Sequence, residues 1–141
     1  MTANPITVGP FETMDVAEGL FEKHGIHHLP VVENGRLVGV VSQTDLLKIT
    51  RQLFGDALET QKNTQVKQSI TAQGLMSKIT LCVAPDSTLG EVLRMFRGGR
   101  FHSLPVIEGP EKRLVGIVTT VDLLRVFEDS LVENEETAVV L

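Results

Sequence analysis

Two short patterns in the sequence pair a hydroxyl with a carboxylate three residues later, Ser42-x-x-Asp45 and Thr119-x-x-Asp122. Each follows an apolar run and opens a segment with helical periodicity, so the hydroxyl could cap a helix and the carboxylate could face the positive end of its dipole. The same arrangement can bind a ligand, because helix N-termini hold anions and a carboxylate can accept both hydroxyls of a ribose. The cap and the ligand site are compatible roles.

The histidines are the second candidate group, since three of the four lie within residues 24–28 and the fourth is His102. Imidazole ligates transition metals, which makes a metal sensor one interpretation. However, His27 and His28 would point in opposite directions on a strand, and no cysteine or HExxH pattern completes a ligand set. The sequence therefore predicts no metal site. Two interpretations of these residues remain. His27, His28, Arg100 and His102 could form a polar rim that binds an anion, or the histidines could be loop residues that are only solvated or hydrogen-bonded.

A catalytic constellation is not visible in the sequence. There is no nucleophile elbow, Walker loop or dinucleotide fingerprint. The single cysteine, Cys82, lies in an apolar β segment, where we expect it to be buried and inert rather than nucleophilic. We therefore expect a protein that is not an enzyme.

Composition narrows the class of protein further. The 141 residues are 42% hydrophobic and 22% charged, with a net charge of −5 and no Trp or Tyr. These values are typical of a globular domain, and they argue against disorder, a nucleic-acid surface and a base-stacking platform. No apolar run is long enough to cross a membrane, and no secretory signal precedes the first segment. One cysteine fits a reducing compartment, so we expect a cytoplasmic location.

An internal repeat organises the chain. His27–Glu33 recurs as His102–Glu108, 75 positions later, and the register resumes at an offset of 77 after a longer turn. Residues 36–48 and 113–125 then agree at eight of thirteen positions. The chain is thus a tandem repeat with two pseudo-equivalent halves.

Each half has the predicted order β-α-β-β-α, an α/β (α+β) class. Short β runs are expected at Ile6–Val8 and Ile79–Val83, followed by helices with apolar residues at helical spacing. Two apolar strands then flank Asn34-Gly35, a strong hairpin signal, or Gly109-Pro110 in the second copy. The second half's first helix has cap candidates at residues 86–88, and the last helix of each half starts at its Ser/Thr-x-x-Asp pattern.

The predicted boundaries follow from this repeat. Residues 1–48 form the first repeat, 49–69 a helical extension and linker, 70–126 the second repeat, and 127–141 an acidic C-terminal tail. The extension keeps apolar residues at helical spacing as far as Leu58, whereas the stretch from Asn63 to Gln73 is polar and is predicted to be a linker.

The repeated segment Leu-Pro-Val-Val-Glu, a turn, and Leu-Val-Gly-Val-Val-Ser-x-x-Asp-Leu-Leu resembles the signature of the CBS domain, the module named after cystathionine β-synthase. Both copies match, and residues 1–8 and 76–83 are similar to the family's leading segment. The resemblance covers about 1–48 and 70–126. It implies two pseudo-symmetric CBS repeats that pack through their sheets, with helices outside, and commonly a further homodimer.

The resemblance also implies a regulatory module that binds adenosyl ligands, namely AMP, ADP, ATP or S-adenosylmethionine, in two clefts between the repeats and signals to an effector protein by conformational change. By similarity, Asp45 and Asp122 would hold ribose hydroxyls, and Ser42 and Thr119 would lie near the α-phosphate. The remaining implied site residues line the adenine or ribose, wall the base or approach the phosphates: Thr2, Thr7, Ser77, Cys82, Ile26, Phe101, His27, His102 and Arg100.

Two departures from the family pattern shape the expected ligand. The first repeat begins at the Met that matches Met76, so it lacks the short leader seen at residues 70–75. This predicts either that the chain is a fragment of a longer one or that its first site is less complete. No basic cluster is visible that would hold a triphosphate, which favours a monophosphate such as AMP, or a sparsely charged adenosyl group, over ATP. A ligand-free dimerisation or structural module, with both patterns serving only as caps, is the alternative, and a metal sensor is a further one.

Overall fold

The structure, a computed structural model, describes residues 1–55, 61–78, 81–99 and 101–133. The first half contains β1 Thr2–Ala3, α1 Met14–His24, β2 His28–Glu33, β3 Arg36–Ser42 and α2 Gln43–Phe54. The segment between the halves and the second half contain α3 Gln61–Ser69, α4 Ala72–Leu75, α5 Leu89–Gly98, β4 Ser103–Glu108, β5 Arg113–Thr119 and α6 Thr120–Glu133.

The two hairpins confirm the repeat at the level of register. Leu29 pairs with Val41 in β2–β3, and Leu104 pairs with Val118 at the matching place in β4–β5. Both hairpins also shift register after the same position, between Val31/Val32 and Val106/Ile107. The Asn34-Gly35 turn has positive φ at both residues (51° and 79°), as a tight hairpin turn requires.

The leading segment of each repeat adds to the hairpin of the other repeat. Thr2–Ala3 pairs with β5, and Ser77 forms the corresponding bridge to Val40 of β3. The hairpins also meet at their turns, so the strands form one five-stranded sheet in the order β1-β5-β3-β2, with β4 on β5. Each repeat therefore contributes its leading segment to the hairpin of the other repeat.

A glycine in each hairpin permits this close approach. A Cβ on Gly39 would lie 3.0 Å from the Cβ of Met76, and one on Gly116 would lie 3.1 Å from the carbonyl oxygen of Thr2. These distances are shorter than ordinary carbon contacts, so any larger residue would push the leading segment away from the strand. Gly39 and Gly116 thus allow the leading segment of one repeat to pair with a strand of the other.

The predicted β runs at 6–8 and 79–83 are reduced to single bridges. Val8 bridges Val31 and Val83 bridges Val106, both in parallel orientation, while residues 79 and 80 lie outside the described part. Pro5 and Pro10 flank the first run and cannot donate to a ladder, and of the run itself only Val8 pairs.

The polar stretch predicted as a linker is instead helical over much of its length, in α3 and α4. Lys67 on α3 is only 5% exposed and forms an ion pair of 3.0 Å with Glu18 on α1. The backbone N–H of Ala72 also donates to the carbonyl of Glu12 at 2.7 Å. Periodicity did not indicate this helix because α3 has no apolar stripe. Its helix is stabilised by contacts with α1 that periodicity does not report.

Two other predicted segments differ at their ends. Helix α6 continues through Glu133, so the first part of the acidic tail is helical, and residues 134–141 lie outside the described part. The helical extension after Ser42 ends at Phe54, where Gly55 has a positive φ of 61°, and Leu58 is likewise not described.

The first repeat has the larger core. It buries Met14, Ala17 and Phe21 of α1 against β2, β3 and the segment 70–76. The second repeat has a smaller core around Val92, Leu104 and Val106, and its α5 leaves Leu89 49% and Leu93 48% exposed. The two halves therefore share a topology but differ in how much apolar surface they bury.

Thr88 caps α5 as the sequence predicts. Its Oγ1 accepts the N–H of Glu91 at 3.2 Å, and the Glu91 carboxylate accepts the N–H of Thr88 at 2.8 Å, a complete capping box. We expect Thr88→Ala to lower the free energy of unfolding by about 1 kcal/mol. Urea unfolding measures this, with Thr13→Ala as the matched variant.

Thr13 is the corresponding N-cap of α1, but its side chain makes no cap hydrogen bond and instead donates to the Asp15 carboxylate. Thr13→Ala should therefore cost less stability than Thr88→Ala. An equal loss in the two variants would show that the capping box does not stabilise α5 measurably.

Candidate functional site

A cavity of about 430 Å³ lies between the two repeats, and we call it the Asp45 cavity. One wall comes from the ends of β2 and β3 and the first turns of α2, and the other from Ser77, Lys78, Leu81 and the start of β4. Its lining residues are His28, Val40, Ser42, Thr44, Asp45, Lys48, Ser77, Lys78, Leu81, Phe101, His102, Ser103 and Pro105.

The N-terminus of α2 forms the polar end of this cavity. Ser42 is its N-cap, and the Ser42 Oγ accepts the backbone N–H of Asp45 at 3.1 Å, which confirms the capping role predicted for the hydroxyl. The half-buried Asp45 carboxylate, by contrast, accepts no hydrogen bond from any described residue. It is therefore free to accept hydrogen bonds from a ligand in the cavity.

The opposite wall is held in place by backbone pairing. Ser77 and Val40 exchange two backbone hydrogen bonds of 2.9 and 3.1 Å, which fixes the leading segment of the second repeat across the cavity. At the start of β4, the carbonyl of His102 accepts the N–H of Thr120 at 3.1 Å, while the Phe101 ring is 41% exposed. An apolar ring and polar groups thus share one cleft, as small-molecule sites require.

His28 lies between the charged groups of this cavity. Burial lowers the pKa of its imidazole from the usual value near 6.5, and the nearby His102 and His27 lower it further, while the Asp45 carboxylate acts in the opposite direction. The neutral imidazole is therefore the favoured form near pH 7. An anion bound in the cavity would favour the protonated form instead.

The lowered pKa predicts a pH dependence of stability. Because the unfolded chain binds a proton at His28 more readily than the folded chain, folding should lose free energy as the pH falls below about 6.5. We expect His28→Gln to reduce the loss of melting temperature between pH 7.5 and 5.5. Thermal unfolding at several pH values measures this, with His24→Gln, a change at an exposed residue on α1, as the control.

If His28→Gln and the wild type lost the same number of degrees over that range, the His28 imidazole would not carry the effect. A change of equal size in His24→Gln would also contradict the assignment, since His24 lies outside the Asp45 cavity.

The structure places five of the predicted ligand residues in the Asp45 cavity: Ser42, Asp45, Ser77, Phe101 and His102. Seven others do not line it: Thr2, Thr7, Ile26, His27, Cys82, Thr119 and Asp122. Arg100 lies outside the described residues. Of the seven, Thr2, Ile26, His27, Thr119 and Asp122 hold the pseudo-equivalent positions of the cavity's Ser77, Phe101, His102, Ser42 and Asp45 in the repeat register.

Thr119 and Asp122 form a reciprocal cap at the N-terminus of α6. The Asp122 N–H donates to the Thr119 Oγ1 at 3.2 Å, and the Thr119 N–H donates to the Asp122 Oδ2 at 2.9 Å. The capping interpretation thus holds here in its complete form. The carboxylate of Asp122, unlike that of Asp45, already accepts a hydrogen bond from a backbone N–H.

Cys82 is half-buried, and burial raises the pKa of its thiol, although Lys112 acts in the opposite direction. It lines two other cavities, of about 500 and 680 Å³, rather than the Asp45 cavity. A raised thiol pKa disfavours the thiolate, whereas the full burial expected for Cys82 is not found.

The cavity also includes residues that the sequence analysis did not select, among them Lys48, Lys78 and Thr44. Lys48 follows Asp45 by three positions on α2, and this helical spacing could have indicated it. Lys78 follows Ser77 on an irregular segment and gave no such signal. The sequence analysis found no basic cluster, yet the structure brings these two lysines to one cleft.

Comparison with known proteins decides the family. The family model described as CBS domain matches residues 1–51 and 72–129 of the chain. The chain belongs to the CBS-domain family. Its two matched segments are the two repeats, and the mixed α/β fold with an antiparallel sheet agrees with tandem CBS pairs of known structure.

Three similar proteins illustrate the range of this family. Inosine-5'-monophosphate dehydrogenase from Methanocaldococcus jannaschii is 31% identical over 85% of this chain and 21% of its own length. A crystal structure of CBSX2 in complex with AMP is 28% identical, with a TM-score of 0.75 over 92% of this chain and 93% of that chain. Hypoxic Response Protein I with two coordinated zinc ions is 28% identical, with a TM-score of 0.70 over 89% and 92%.

The CBS pair spans only 21% to 41% of the length of the first curated relatives it matches. Within the described part of the chain, no three His, Cys, Asp or Glu side chains are grouped so that they could hold a metal ion. None of the described helices is both long enough and apolar enough to span a membrane.

Proposed function

We propose that this CBS pair is a regulatory module that binds an adenosyl nucleotide in the Asp45 cavity and passes the binding event on as a conformational change. One observation carries the proposal. The Asp45 carboxylate, in the first turn of α2, lines a cavity of about 430 Å³ and accepts no hydrogen bond from a described residue. A cavity of that size is within the range of small-molecule sites. The similar fold of CBSX2, a protein solved with AMP, supports the class of ligand.

Each wall of the cavity has a role in this proposal. The Asp45 carboxylate accepts the ribose hydroxyls, and the α2 N-terminus with Ser42 faces the α-phosphate. Phe101 offers an apolar surface for the base, while Ser77 and His102 contribute polar contacts from the second repeat. AMP is the favoured ligand, and ADP, ATP and S-adenosylmethionine are the other candidates.

Ligand binding could change the conformation because the leading segment of each repeat pairs with the hairpin of the other repeat. A ligand in the cavity contacts β3 and α2 of one repeat and the leading segment and β4 of the other. If it binds one relative orientation of the repeats more tightly, it shifts the population towards that orientation. An effector protein that contacts both repeats would then respond to the ligand.

A thermal-shift panel with AMP, ADP, ATP, S-adenosylmethionine and NAD tests the proposal. A ligand at a hundred times its dissociation constant adds about 2.7 kcal/mol to the free energy of unfolding. For a chain of this size, that corresponds to a rise of roughly 5–10 °C in the melting temperature. Inorganic phosphate at the same concentration is the control for nonspecific anion effects, and no shift with any adenosyl ligand would refute the proposal.

The alternative function is a ligand-free dimerisation or structural module. The exposed apolar residues of the second half favour assembly, which is also compatible with ligand binding. Leu93, Leu124 and Phe127 are 48%, 65% and 57% exposed on α5 and α6. We propose that these helices contribute to a homodimer. Sedimentation velocity should show a dimer that Phe127→Lys weakens and that Lys23→Gln, on α1, does not.

We further propose a cytoplasmic regulatory chain rather than an enzyme. The dehydrogenase relative is an enzyme by name, but the matching region is only a fifth of its length. The described residues that line the Asp45 cavity include no nucleophile paired with a base in the manner of a catalytic triad.

A further inference from the structure

We infer that the two pseudo-symmetric clefts are unequal and that the chain binds one phosphorylated nucleotide, in the Asp45 cavity, with Lys48 and Lys78 as its phosphate contacts. This inference rests on the proposed function and deepens it. The cleft of Thr119 and Asp122 keeps the repeat's pattern but is not a phosphate site. The case follows from four differences between matching positions.

The first difference is charge. Lys48 and Lys78 both line the Asp45 cavity, and neither forms an ion pair with a residue that the structure describes. In the repeat register, Lys48 corresponds to Arg125 and Lys78 to Ala3. The Asp45 cavity thus sets two permanent cations against one carboxylate, whereas the matching positions of the other repeat supply one cation, Arg125, and one carboxylate, Asp122. A phosphate carrying two negative charges is attracted by the former.

The second difference is the state of the carboxylate. Asp122 Oδ2 accepts the N–H of Thr119 at 2.9 Å, so one of its two carboxylate oxygens already serves the cap of α6. Asp45 has no such bond within the described residues, and its own N–H is satisfied by Ser42. A ligand therefore reaches Asp45 without breaking a hydrogen bond of the protein.

The remaining differences concern the hydroxyl and the ring beside the cavity. Thr44, in the first turn of α2, corresponds to Val121 in α6, which offers no donor to an anion. Phe101 corresponds to Ile26, which has no aromatic face on which a base could stack. All four differences are expected to lower the affinity of the Thr119–Asp122 cleft for a phosphorylated nucleotide.

Isothermal titration calorimetry on the full chain tests the inference, with AMP and adenosine as probes. We expect one AMP per chain. Lys78→Met and Lys48→Met should each weaken AMP binding about tenfold, because each removes a hydrogen bond to a charged group, and should leave adenosine binding unchanged. Arg125→Met, at the position that matches Lys48, is the control and should leave the affinity for both probes unchanged.

The outcomes separate this inference from the function on which it rests. Two AMP molecules per chain, or a loss in Arg125→Met equal to that in Lys48→Met, would overturn the inequality while leaving nucleotide binding intact. AMP affinity unchanged in both lysine variants would overturn the assigned phosphate contacts. Absence of binding by both AMP and adenosine to the wild type would refute the proposed function, and the inference with it.

Discussion

Asp45→Asn is expected to weaken AMP binding by a factor of ten or more, while the fold is retained. The carboxylate is the acceptor proposed for two ribose hydroxyls, and a hydrogen bond to a charged group contributes about 1.5–3 kcal/mol. Asn keeps the shape of the side chain but removes the charge and one acceptor oxygen. Because the Asp45 N–H still donates to Ser42 Oγ, the cap of α2 survives.

The cost of Asp45→Asn in stability should be small. Loss of a negative charge from the first turn of α2 removes a favourable interaction with the helix dipole worth about 0.3–1 kcal/mol. Calorimetry for the affinity and urea unfolding for the stability distinguish a binding residue from a purely structural one.

Asp122→Asn is the matched control for this prediction. It removes the same charge from the same place in the repeat, but from a carboxylate that caps α6. We expect it to lower stability at least as much as Asp45→Asn and to leave AMP binding almost unchanged. If Asp45→Asn lost stability but bound AMP like the wild type, Ser42-x-x-Asp45 would serve only as a cap.

Phe21→Ala is expected to lower the free energy of unfolding by about 3–5 kcal/mol, the largest change in stability that we predict. Phe21 is 2% exposed on α1 and packs in the core with Met14 and Leu29. Truncation removes an aromatic side chain from a site closed on one side by the segment 70–76, so the cavity cannot easily collapse. Urea unfolding at pH 7.5 measures the loss.

Phe96 occupies the matching position on α5 and offers the control. It is only half-buried beside the smaller second core, so Phe96→Ala should cost clearly less than Phe21→Ala. Equal losses would mean that the second repeat is as well packed in solution as the first, through contacts that the isolated chain does not show.

Much of the fold was accessible from the sequence because the information is local and occurs twice. The Asn34-Gly35 turn, the capping box at Thr88 and the start of α2 at Ser42 each depend on residues within a few positions. The linker could not be predicted in the same way. Helix α3 is polar, and Lys67 on it is buried beside partners distant in the chain, among them Glu18, 49 residues earlier.

The candidate site shows the same division. Ser42 and Asp45 could be selected from spacing alone, and the family resemblance extended the selection to Ser77, Phe101 and His102, which the structure also brings to the cavity. Five of the seven residues outside the cavity are the repeat equivalents of residues that line it, and the other two, Thr7 and Cys82, were selected as leading-segment positions of the family. Differences such as Lys78 against Ala3 lie at positions that the repeat pattern does not specify.

The sequence by itself determined the tandem repeat, the helix-hairpin-helix order in each half and the caps at Ser42, Thr88 and Thr119, because these depend on near neighbours and on periodicity. Only the tertiary structure decided which leading segment pairs with which hairpin, that the polar stretch after residue 60 packs on α1, and that two lysines meet beside Asp45. Those features depend on contacts between residues far apart in the chain. Their free energy arises from burial and pairing across the two halves, which no local pattern records.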